Sequence, residues 1–278
     1  MITFNNLGVQ GRLGNQLFQY ALLTAVAIKT KNKIVLPEDL FEKIWHGQKC
    51  LLNNFKLPSL NFSSKTDFKI YKEKEWMQFD KNVFEINENI DFDGFFQNIN
   101  YFYDIKEKVQ KEFAMKDCVE NKINSILKNF QNTKVSLHVR RGDCSDGTNP
   151  DLAKVANDFS NNSLQYQYYD KALKLLPKKS TIFLFTGGSR TKNDYSEDLL
   201  WCQKHFEDER IIFINDLTDI ESFCFMKNCD INILSFASTF SLWASYLNKS
   251  QDCIAPHHFY PHININLNNL FFPNWTVL

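Results

Sequence analysis

The sequence predicts an α/β protein whose C-terminal part is a doubly wound parallel sheet. Three observations support this fold class. Short apolar strands alternate with helical stretches after residue 133, a glycine-rich turn joins the first strand to the first helix, and polar residues follow the strand ends. Alternation of strand and helix indicates right-handed crossovers and a parallel sheet with helices on both faces. The 278 residues, 44% of them hydrophobic, suit one large domain or two of ordinary size.

The N-terminal part begins with a strand, a glycine-rich turn and a helix. Strand-like residues 2–7 lead into Gly8, Gly11 and Gly14. A helix is predicted over 16–29, because its apolar residues recur three and four positions apart. Such a turn lets a ligand approach the backbone and points the helix N terminus at it. The glycine spacing matches neither the dinucleotide fingerprint nor the P-loop, so a simple turn is the alternative.

The remaining elements define the predicted domains. Strands are predicted at 33–36 and 90–96 and helices at 99–113 and 119–130, whereas 37–79 shows no regular pattern. The C-terminal part has predicted strands at 135–139, 181–186, 211–214, 231–234 and 253–255, and helices at 163–176, 195–206, 218–227 and 238–247. The polar stretch 129–134 is the candidate junction. We therefore predict an N-terminal α/β domain over 1–132, a Rossmann-like domain over 133–262 and a tail over 263–278.

Composition and charge exclude several classes of protein. Basic and acidic residues number 32 each, so the chain has no electrostatic footprint for nucleic acid. The N terminus lacks a signal pattern, and no stretch approaches the roughly 20 apolar residues of a spanning helix. These features predict a cytoplasmic protein and leave peripheral attachment at the inner face of the membrane open. Seven cysteines without C-x-x-C spacing argue against a zinc site or a disulfide framework.

A short strand that ends in two arginines is the main candidate site. Apolar residues of 135–139 alternate with Ser136 and His138, and Arg140 and Arg141 follow at the strand end. Ligands of open α/β sheets bind at the carboxyl ends of strands. Two guanidinium groups there indicate an anion, and a phosphate or diphosphate fits best. An ion-pair network with Asp143 explains the same residues, and the motif alone does not decide between the two.

A predicted helix start forms a second candidate anion site. Residues 235–241 follow a strand and open a helix, with Ser238 or Thr239 placed as the N-cap. Free N–H groups and the positive end of the helix dipole favour an anion there. If this helix end and the arginines face one cleft, a diphosphate can be held without a metal. A plain helix cap is the alternative.

Several side chains are candidates for proton transfer or metal binding. Asp143 or Asp146 could act as a general base towards an acceptor hydroxyl, although a carboxylate beside an arginine is more often an ion-pair partner. His138 could shuttle a proton or hydrogen-bond a diphosphate. Asp91 and Asp93 form an Asp-x-Asp pair of the kind that holds a divalent cation on a sugar nucleotide. The arginines could supply the same charge compensation, so we favour a site without metal.

Five motifs in order carry a resemblance to a known family. They are GRLGNQLFQYA at 11–21, DGFFQ at 93–97, HVRRGD at 138–143, STFSLWASYLN at 238–248 and PNW at 273–275. The chain resembles the inverting α-1,2-fucosyltransferases, which include bacterial lipopolysaccharide enzymes and the animal enzymes that make H-type antigens, and is identified as a bacterial-type member. The motifs together span nearly the whole chain.

The resemblance implies a fold and a reaction. The fold would be a two-domain GT-B-like glycosyltransferase, with the acceptor on the N-terminal side and the nucleotide sugar on the C-terminal side. The reaction would transfer fucose from GDP-β-L-fucose, with inversion and without metal or other cofactor. The acceptor would be the 2-hydroxyl of galactose in a galactose-terminated oligosaccharide or glycolipid, such as an O-antigen precursor. Two alternatives are a fucosyltransferase that forms another linkage and a non-catalytic sugar-nucleotide or glycan binder.

The resemblance also implies roles for individual residues. The donor would be bound by Gly14, Asn15, Arg140, Arg141, Ser238, Thr239 and Phe240. The catalytic candidates are Arg140, Asp143 and His138, and the residues expected to border the cleft or acceptor are Arg12, Gln16 and Trp243. The chain departs from the family pattern at Cys144 and at Thr186-Gly187-Gly188, with a longer loop over 189–194. These departures concern the base-binding side of the nucleotide pocket.

Overall fold

A computed structural model describes residues 1–45, 47–64, 67–148, 150–187 and 196–278. The chain divides into two compact units. Unit 1 contains Met1–Lys116 and Asn268–Phe271, and unit 2 contains Asp117–Leu267 and Phe272–Leu278. The helix that follows residue 116 therefore belongs to unit 2, whereas the predicted N-terminal domain extended to residue 132. The segment predicted as a tail contributes to both units.

Unit 1 is built from short strands around one long helix. Its elements are β1 (Ile2–Thr3), α1 (Leu13–Thr30), β2 (Leu36–Pro37), β3 (Ile44–Trp45), β4 (Gln48–Lys49), β5 (Phe62–Ser63), β6 (Lys69–Lys72), β7 (Ile90–Asp93) and α2 (Lys106–Glu112). A parallel sheet has the order β1-β7-β6. The predicted helix 99–113 is α-helical only in α2. Two 3₁₀ turns, at 99–101 and 103–105, precede it, because the Asn98 side chain accepts a hydrogen bond from Asn100 N and favours a local turn.

The glycine-rich turn leads into α1, the central helix of unit 1. The helix starts at Leu13, and Lys31 follows it in the left-handed conformation (φ 58°). Gly11 has a φ of 94°, and a Cβ atom there would lie 2.2 Å from Asn15 Nδ2. Only glycine therefore fits at position 11, because the turn packs directly against the first turn of α1.

Unit 2 contains the large sheet. Its elements are α3 (Asp117–Leu127), β8 (Thr133–Arg140), α4 (Pro150–Asn157), α5 (Leu164–Leu175), β9 (Ser180–Gly187), α6 (Ser196–His205), β10 (Ile211–Ile214), α7 (Asp219–Lys227), β11 (Ile231–Ile233), α8 (Thr239–Tyr246), β12 (Cys253–Ala255) and β13 (Thr276–Val277). Six parallel strands have the order β10-β9-β8-β11-β12-β13. The predicted parallel α/β sheet is confirmed. Helix α4 and strand β13 have no counterpart among the predicted elements.

Both faces of this sheet are covered. Val135, Leu137 and Val139 of β8 point to one face and join a hydrophobic cluster with residues of α5 and α6. On the other face, Ser136 accepts a hydrogen bond from Asn232 Nδ2 at 2.6 Å. The polar side of β8 is therefore buried as well, and its hydroxyl finds a partner within the sheet.

Two sequence expectations concern the whole chain. Among the helices of the described part, none has the length and hydrophobicity needed to span a bilayer. The seven cysteines are unpaired, and all but Cys118 are buried.

Candidate functional site

Three strands of unit 2 end side by side at the carboxyl edge of the sheet. Arg140, the last residue of β8, lies in register with Gly187, the last residue of β9. Arg141 N donates to the Gly187 carbonyl at 2.8 Å. Arg140 N donates to Ser235 Oγ, just beyond β11, at 2.7 Å. The strand ends that carry the predicted site are therefore adjacent. The predicted loop 189–194, with Gly188 and the start of the predicted helix at 195, lies outside the described residues.

The Arg140 side chain is held between a backbone carbonyl and a carboxylate. Its Nη1 donates to the Ala237 carbonyl, and its Nη2 forms an ion pair with Asp143 Oδ2 at 2.9 Å. Ala237 has a φ of 49°, so the loop between β11 and α8 turns its carbonyl towards the arginine. The Arg140 side chain is 25% exposed. A guanidinium carries five N–H groups, so these two contacts leave donors for an anion.

Asp143 and Asp146 have different surroundings. Asp143 faces Arg140, and this contact orients the guanidinium. Asp146 accepts a hydrogen bond from Thr148 N at 2.9 Å in an exposed turn. Because Asp143 is held in an ion pair with Arg140, its geometry fits an orienting ion-pair partner better than a general base.

Arg141 points away from this edge into the interior of unit 2. Its Nη1 donates to the Ala156 carbonyl at 2.7 Å, and its Nη2 donates to Asn157 Oδ1 at 3.0 Å. Its Nε lies 3.3 Å from Asp198 Oδ1, and its Cζ lies 3.9 Å from the centroid of the Trp201 ring. The side chain is only 8% exposed. A buried carboxylate and an indole face therefore engage this guanidinium, which was expected to contact the diphosphate.

His138 is buried and neutral. It is 7% exposed, and burial lowers its pKa to about 3, with the charge of Arg140 acting in the same direction. Its Nδ1 has no hydrogen-bond partner within the described part of the chain, and its ring centroid lies 6.0 Å from that of Phe240. A proton shuttle needs a pKa near the working pH. This environment instead suits a hydrogen bond to a polar ligand atom.

The start of α8 lies directly after the loop that holds Arg140. Ser238 is the N-cap, as predicted, and its Oγ accepts a hydrogen bond from Ser241 N at 3.3 Å. Thr239 and Phe240 follow in the first turn and are partly exposed. The first N–H groups of a helix lack intrahelical partners and carry the positive end of the dipole. Arg140 and the start of α8 therefore form one positive region.

Trp243, which was expected at a cleft border, is buried in unit 2. It is 0% exposed, and its ring centroid lies 5.2 Å from that of Tyr246. It lies on a helix whose residues from Ser241 to Tyr246 are all buried. Packing therefore explains this tryptophan.

Gln16 is likewise buried, at 1% exposed. Its Nε2 donates to the Gly11 carbonyl at 3.2 Å, and its Oε1 accepts from Leu51 N at 3.2 Å. Gln16 thus ties the glycine-rich turn to the 3₁₀ helix over 51–54.

The other predicted residues of unit 1 lie at the start of α1. Arg12 is the N-cap residue and Gly14 is buried in the first turn. Arg12 and Asn15 are partly exposed. Asn15 Oδ1 accepts a hydrogen bond from Gln97 Nε2 at 2.8 Å. Arg12 and Asn15 are therefore the predicted residues of this region that reach the surface.

The two carboxylates of the Asp-x-Asp pair in β7 accept hydrogen bonds within unit 1. Asp91 accepts hydrogen bonds from Asn5 N and Asn5 Nδ2 at 2.8 and 2.9 Å, one to each oxygen. Asp93 accepts from Asn6 Nδ2 at 3.4 Å. Within the described ranges, no group of three or more His, Cys, Asp or Glu side chains is arranged to hold a metal ion.

Three residues that support the site were not singled out from the sequence. Tyr169 Oη donates to the His138 carbonyl at 3.0 Å. Asp198 Oδ2 accepts a hydrogen bond from Gly142 N at 3.2 Å, and the Arg141 guanidinium stacks on the Trp201 ring. Asp198 could have been found from the sequence, because it lies on the buried face of a predicted helix. A buried carboxylate requires a cationic or N–H partner, so its position indicates a contact of this kind.

Comparison with known proteins identifies relatives of the chain. The model of the family described as glycosyl transferase family 11 matches residues 1–278. Galactoside alpha-(1,2)-fucosyltransferase 2 of Rattus norvegicus is 23% identical over 262 residues, which cover 89% of this chain and 67% of that protein. Alpha-1,2-colitosyltransferase of Escherichia coli is 25% identical over 285 residues, which cover 92% of each chain.

Solved structures of fucosyltransferases share the fold. Fucosyltransferase NodZ from Bradyrhizobium aligns with a TM-score of 0.54 at 12% sequence identity, covering 88% of this chain and 91% of that one. POFUT1 in complex with GDP-fucose aligns with a TM-score of 0.50 at 12% identity, covering 90% and 94%. The fold is therefore that of the GT-B-like fucosyltransferases.

Proposed function

The chain belongs to glycosyl transferase family 11 and is a glycosyltransferase, and from this premise we propose that it is an α-1,2-fucosyltransferase. It transfers L-fucose from GDP-β-L-fucose to the 2-hydroxyl of a galactose residue, with inversion and without a metal. The acceptor is a galactose-terminated oligosaccharide or glycolipid. The family and the names of its relatives support fucosyltransferase activity.

The observation that carries the proposal is the position of Arg140. The Ala237 carbonyl and the Asp143 carboxylate hold its guanidinium at the strand edge, directly beside the start of α8. Negative charge develops on the diphosphate as the bond to fucose breaks. Donors fixed before the reaction stabilise that charge without reorganising, and losing one costs about 3 to 4 kcal/mol. Within unit 2 the proposed donor contacts are Arg140, Ser238, Thr239 and Phe240. The donor contacts expected in unit 1, Gly14 and Asn15, stay predictions.

The two arginines have different proposed roles. Arg140 binds the diphosphate, whereas Arg141 positions the turn that follows β8. Asp198 supports this division, because it contacts both the Arg141 guanidinium and Gly142 N. Asp143 lies in the same turn and orients Arg140.

Inversion requires one displacement at the anomeric carbon. The acceptor O2 forms a bond to C1 from the face opposite GDP, and the C1–O bond breaks with its electron pair leaving on the diphosphate. Asp143 is paired with Arg140 and His138 is neutral with a pKa lowered by burial, so neither environment favours a strong base. Positive charge builds up on the fucosyl ring before the new bond is complete, so the hydroxyl loses its proton late. The departing diphosphate or a water molecule takes that proton, and a strong base is unnecessary.

A second candidate is colitosyl transfer. The relative from Escherichia coli is named Alpha-1,2-colitosyltransferase, and the match covers 92% of both chains. The linkage in that name is the same and only the transferred sugar differs. The diphosphate contacts proposed above would serve either donor, so the donor sugar must be tested directly.

The decisive experiment is a transfer assay on the purified chain. GDP-fucose and GDP-colitose are each supplied with lactose in excess EDTA, and the product linkage is determined by NMR. We expect an α-1,2-fucosylated product at a rate that EDTA does not change. Another linkage would refute the assigned reaction, and activity that appears only with manganese would refute metal independence. Tight GDP binding without product would favour a sugar-nucleotide binder.

A further inference from the structure

Trp76 is an exposed aromatic residue linked to the start of α1. It is 38% exposed and lies in the turn after β6. Its Nε1 donates to Gln97 Oε1 at 3.3 Å, and Gln97 Nε2 donates to Asn15 Oδ1 at 2.8 Å. Gln97 is only 5% exposed. One buried amide therefore fixes the indole edge and connects it to Asn15.

The turn that carries Trp76 is held in an uncommon backbone conformation. Met77 has a φ of 64° and is 4% exposed. Its carbonyl accepts hydrogen bonds from Asn98 Nδ2 at 2.9 Å and from Asn269 Nδ2 at 3.2 Å. A left-handed residue other than glycine is stable only where its surroundings impose it. The fold thus buries Met77 and holds its neighbour Trp76 at the surface.

This turn lies at the carboxyl edge of the sheet in unit 1. Glu73 N, directly after β6, donates to the Asp93 carbonyl at the end of β7 at 2.8 Å. Glu73 Oε2 accepts from Phe95 N at 2.7 Å, in the segment that leads to Gln97. Ligands of open α/β sheets bind beyond this edge. Trp76 therefore combines an exposed ring with a location suited to a ligand.

We propose that Trp76 is an aromatic platform on which the galactose ring of the acceptor stacks. This inference rests on the proposed function, because it requires a sugar acceptor. The axial 4-hydroxyl of a galactoside leaves the C–H groups at C3, C4 and C5 as an apolar patch on one face. These weakly positive hydrogens pack on the electron-rich face of an indole. Because Gln97 already fixes the ring edge, stacking orders few additional torsions.

Kinetics of three variants test the platform. Trp76→Leu keeps an apolar side chain but removes the indole, and should raise the KM for lactose about tenfold, equivalent to roughly 1.4 kcal/mol. Its kcat and its KM for GDP-fucose should stay within about twofold of wild type. Trp76→Phe should recover part of the loss. The matched control is Ile70→Ala on β6, which removes a 57% exposed apolar side chain and should leave all constants unchanged.

A binding measurement separates this inference from the proposed reaction. Saturation-transfer NMR on lactose should show strongest contact at H3, H4 and H5 of galactose in the wild type and in Ile70→Ala, and lose that pattern in Trp76→Leu. Cellobiose, whose 4-hydroxyl is equatorial, should show weak contact throughout. An unchanged lactose contact pattern and KM in Trp76→Leu would overturn the platform while leaving the transfer reaction intact. If the wild type forms no fucosylated product, the proposed function fails, and the NMR comparison still decides whether Trp76 holds the sugar.

Discussion

The Arg141 guanidinium stacks on Trp201, with 3.9 Å between Cζ and the ring centroid, inside unit 2. The preceding residue, Arg140, contacts Asp143 and the Ala237 carbonyl at the edge of the sheet. Successive side chains of an extended segment point in opposite directions, so neighbours in sequence occupy different environments. The two arginines of this motif should therefore respond differently to the same substitution.

Arg140→Lys should lose most transfer activity without losing stability. An ammonium group cannot bond the Ala237 carbonyl, Asp143 and an anion with the geometry of a planar guanidinium. We expect kcat to fall about a hundredfold or more, as for loss of a charge-stabilising donor. Steady-state kinetics and thermal unfolding measure the two effects. Near-normal turnover would show that Arg140 does not bind the diphosphate.

Arg141→Lys should show the reverse pattern. The variant loses the stack on Trp201 and part of the contacts to Ala156, Asn157 and Asp198. We expect the free energy of unfolding to fall by about 2 kcal/mol or more, because a buried charge loses matched partners. Urea denaturation measures this loss, and calorimetry should give a GDP affinity within about threefold of wild type. Wild-type stability with strongly weakened GDP binding would instead identify Arg141 as a diphosphate ligand.

Asp143→Asn should reduce kcat by less than about tenfold, whereas loss of a general base costs about a hundredfold to ten-thousandfold. The amide keeps the shape of the side chain and can still accept a hydrogen bond from Arg140 Nη2. The measurement is kcat across a pH series. An unchanged dependence of kcat on pH supports an orienting role for Asp143. If kcat falls strongly and no longer decreases at acid pH, Asp143 is the general base.

His138→Gln should flatten the pH dependence of stability on the acid side. Burial lowers the folded-state pKa of His138 to about 3, below the roughly 6.5 of an unfolded chain. The unfolded state therefore binds a proton that the folded state excludes. The stability contributed by neutral His138 is present above about pH 6.5 and is lost as the pH falls towards 3, by up to about 1.4 kcal/mol per pH unit. Urea denaturation between about pH 7 and pH 4 compares the two proteins, and equal slopes would show that His138 accepts a proton in the folded state.

Ser238→Ala and Thr218→Ala form a matched pair of cap removals. Ser238 Oγ caps α8 through Ser241 N at 3.3 Å, and Thr218 Oγ1 caps α7 through Glu221 N at 3.4 Å. Each substitution should lower the free energy of unfolding by about 1 kcal/mol. Only Ser238→Ala should also weaken GDP binding, because α8 starts beside Arg140 and α7 follows the edge strand β10. GDP affinity is measured by calorimetry. Equal affinities in both variants would show that the start of α8 does not contribute to the anion site.

The large sheet was predictable because its strands and helices alternate with clear periodicity. The five predicted strands of unit 2 match the observed ones to within two residues at each end. The two-residue strand β13 was not predictable, because it is defined by pairing with β12 and has little pattern of its own. Helix α4 follows the arginine turn and has a mixed polar composition. It is linked to the site by the Ala156 carbonyl and Asn157 Oδ1, which both accept hydrogen bonds from Arg141.

The sheet topology predicted from the sequence was enough to place the site residues next to each other. It was not enough to predict the direction of their side chains. Parallel strands bring Arg140 and the start of α8 to one edge whatever the side chains do. The direction of Arg141 depends on Asp198 and Trp201, which lie on a helix later in the chain. Gln16 and Trp243 lie within the family motifs, yet their burial depends on packing that no local pattern reports.

The connectivity of unit 1 has a consequence for synthesis. This unit is completed by Asn268–Phe271, which are added to the chain after Asp117–Leu267 of unit 2. Asn269 donates to the Met77 carbonyl and accepts from Asn100 Nδ2 at 3.3 Å. During vectorial translation the first unit therefore leaves the ribosome without part of its own structure. The Met77 carbonyl receives its second hydrogen bond, from Asn269, only after residues 117–267 of unit 2 have been synthesised.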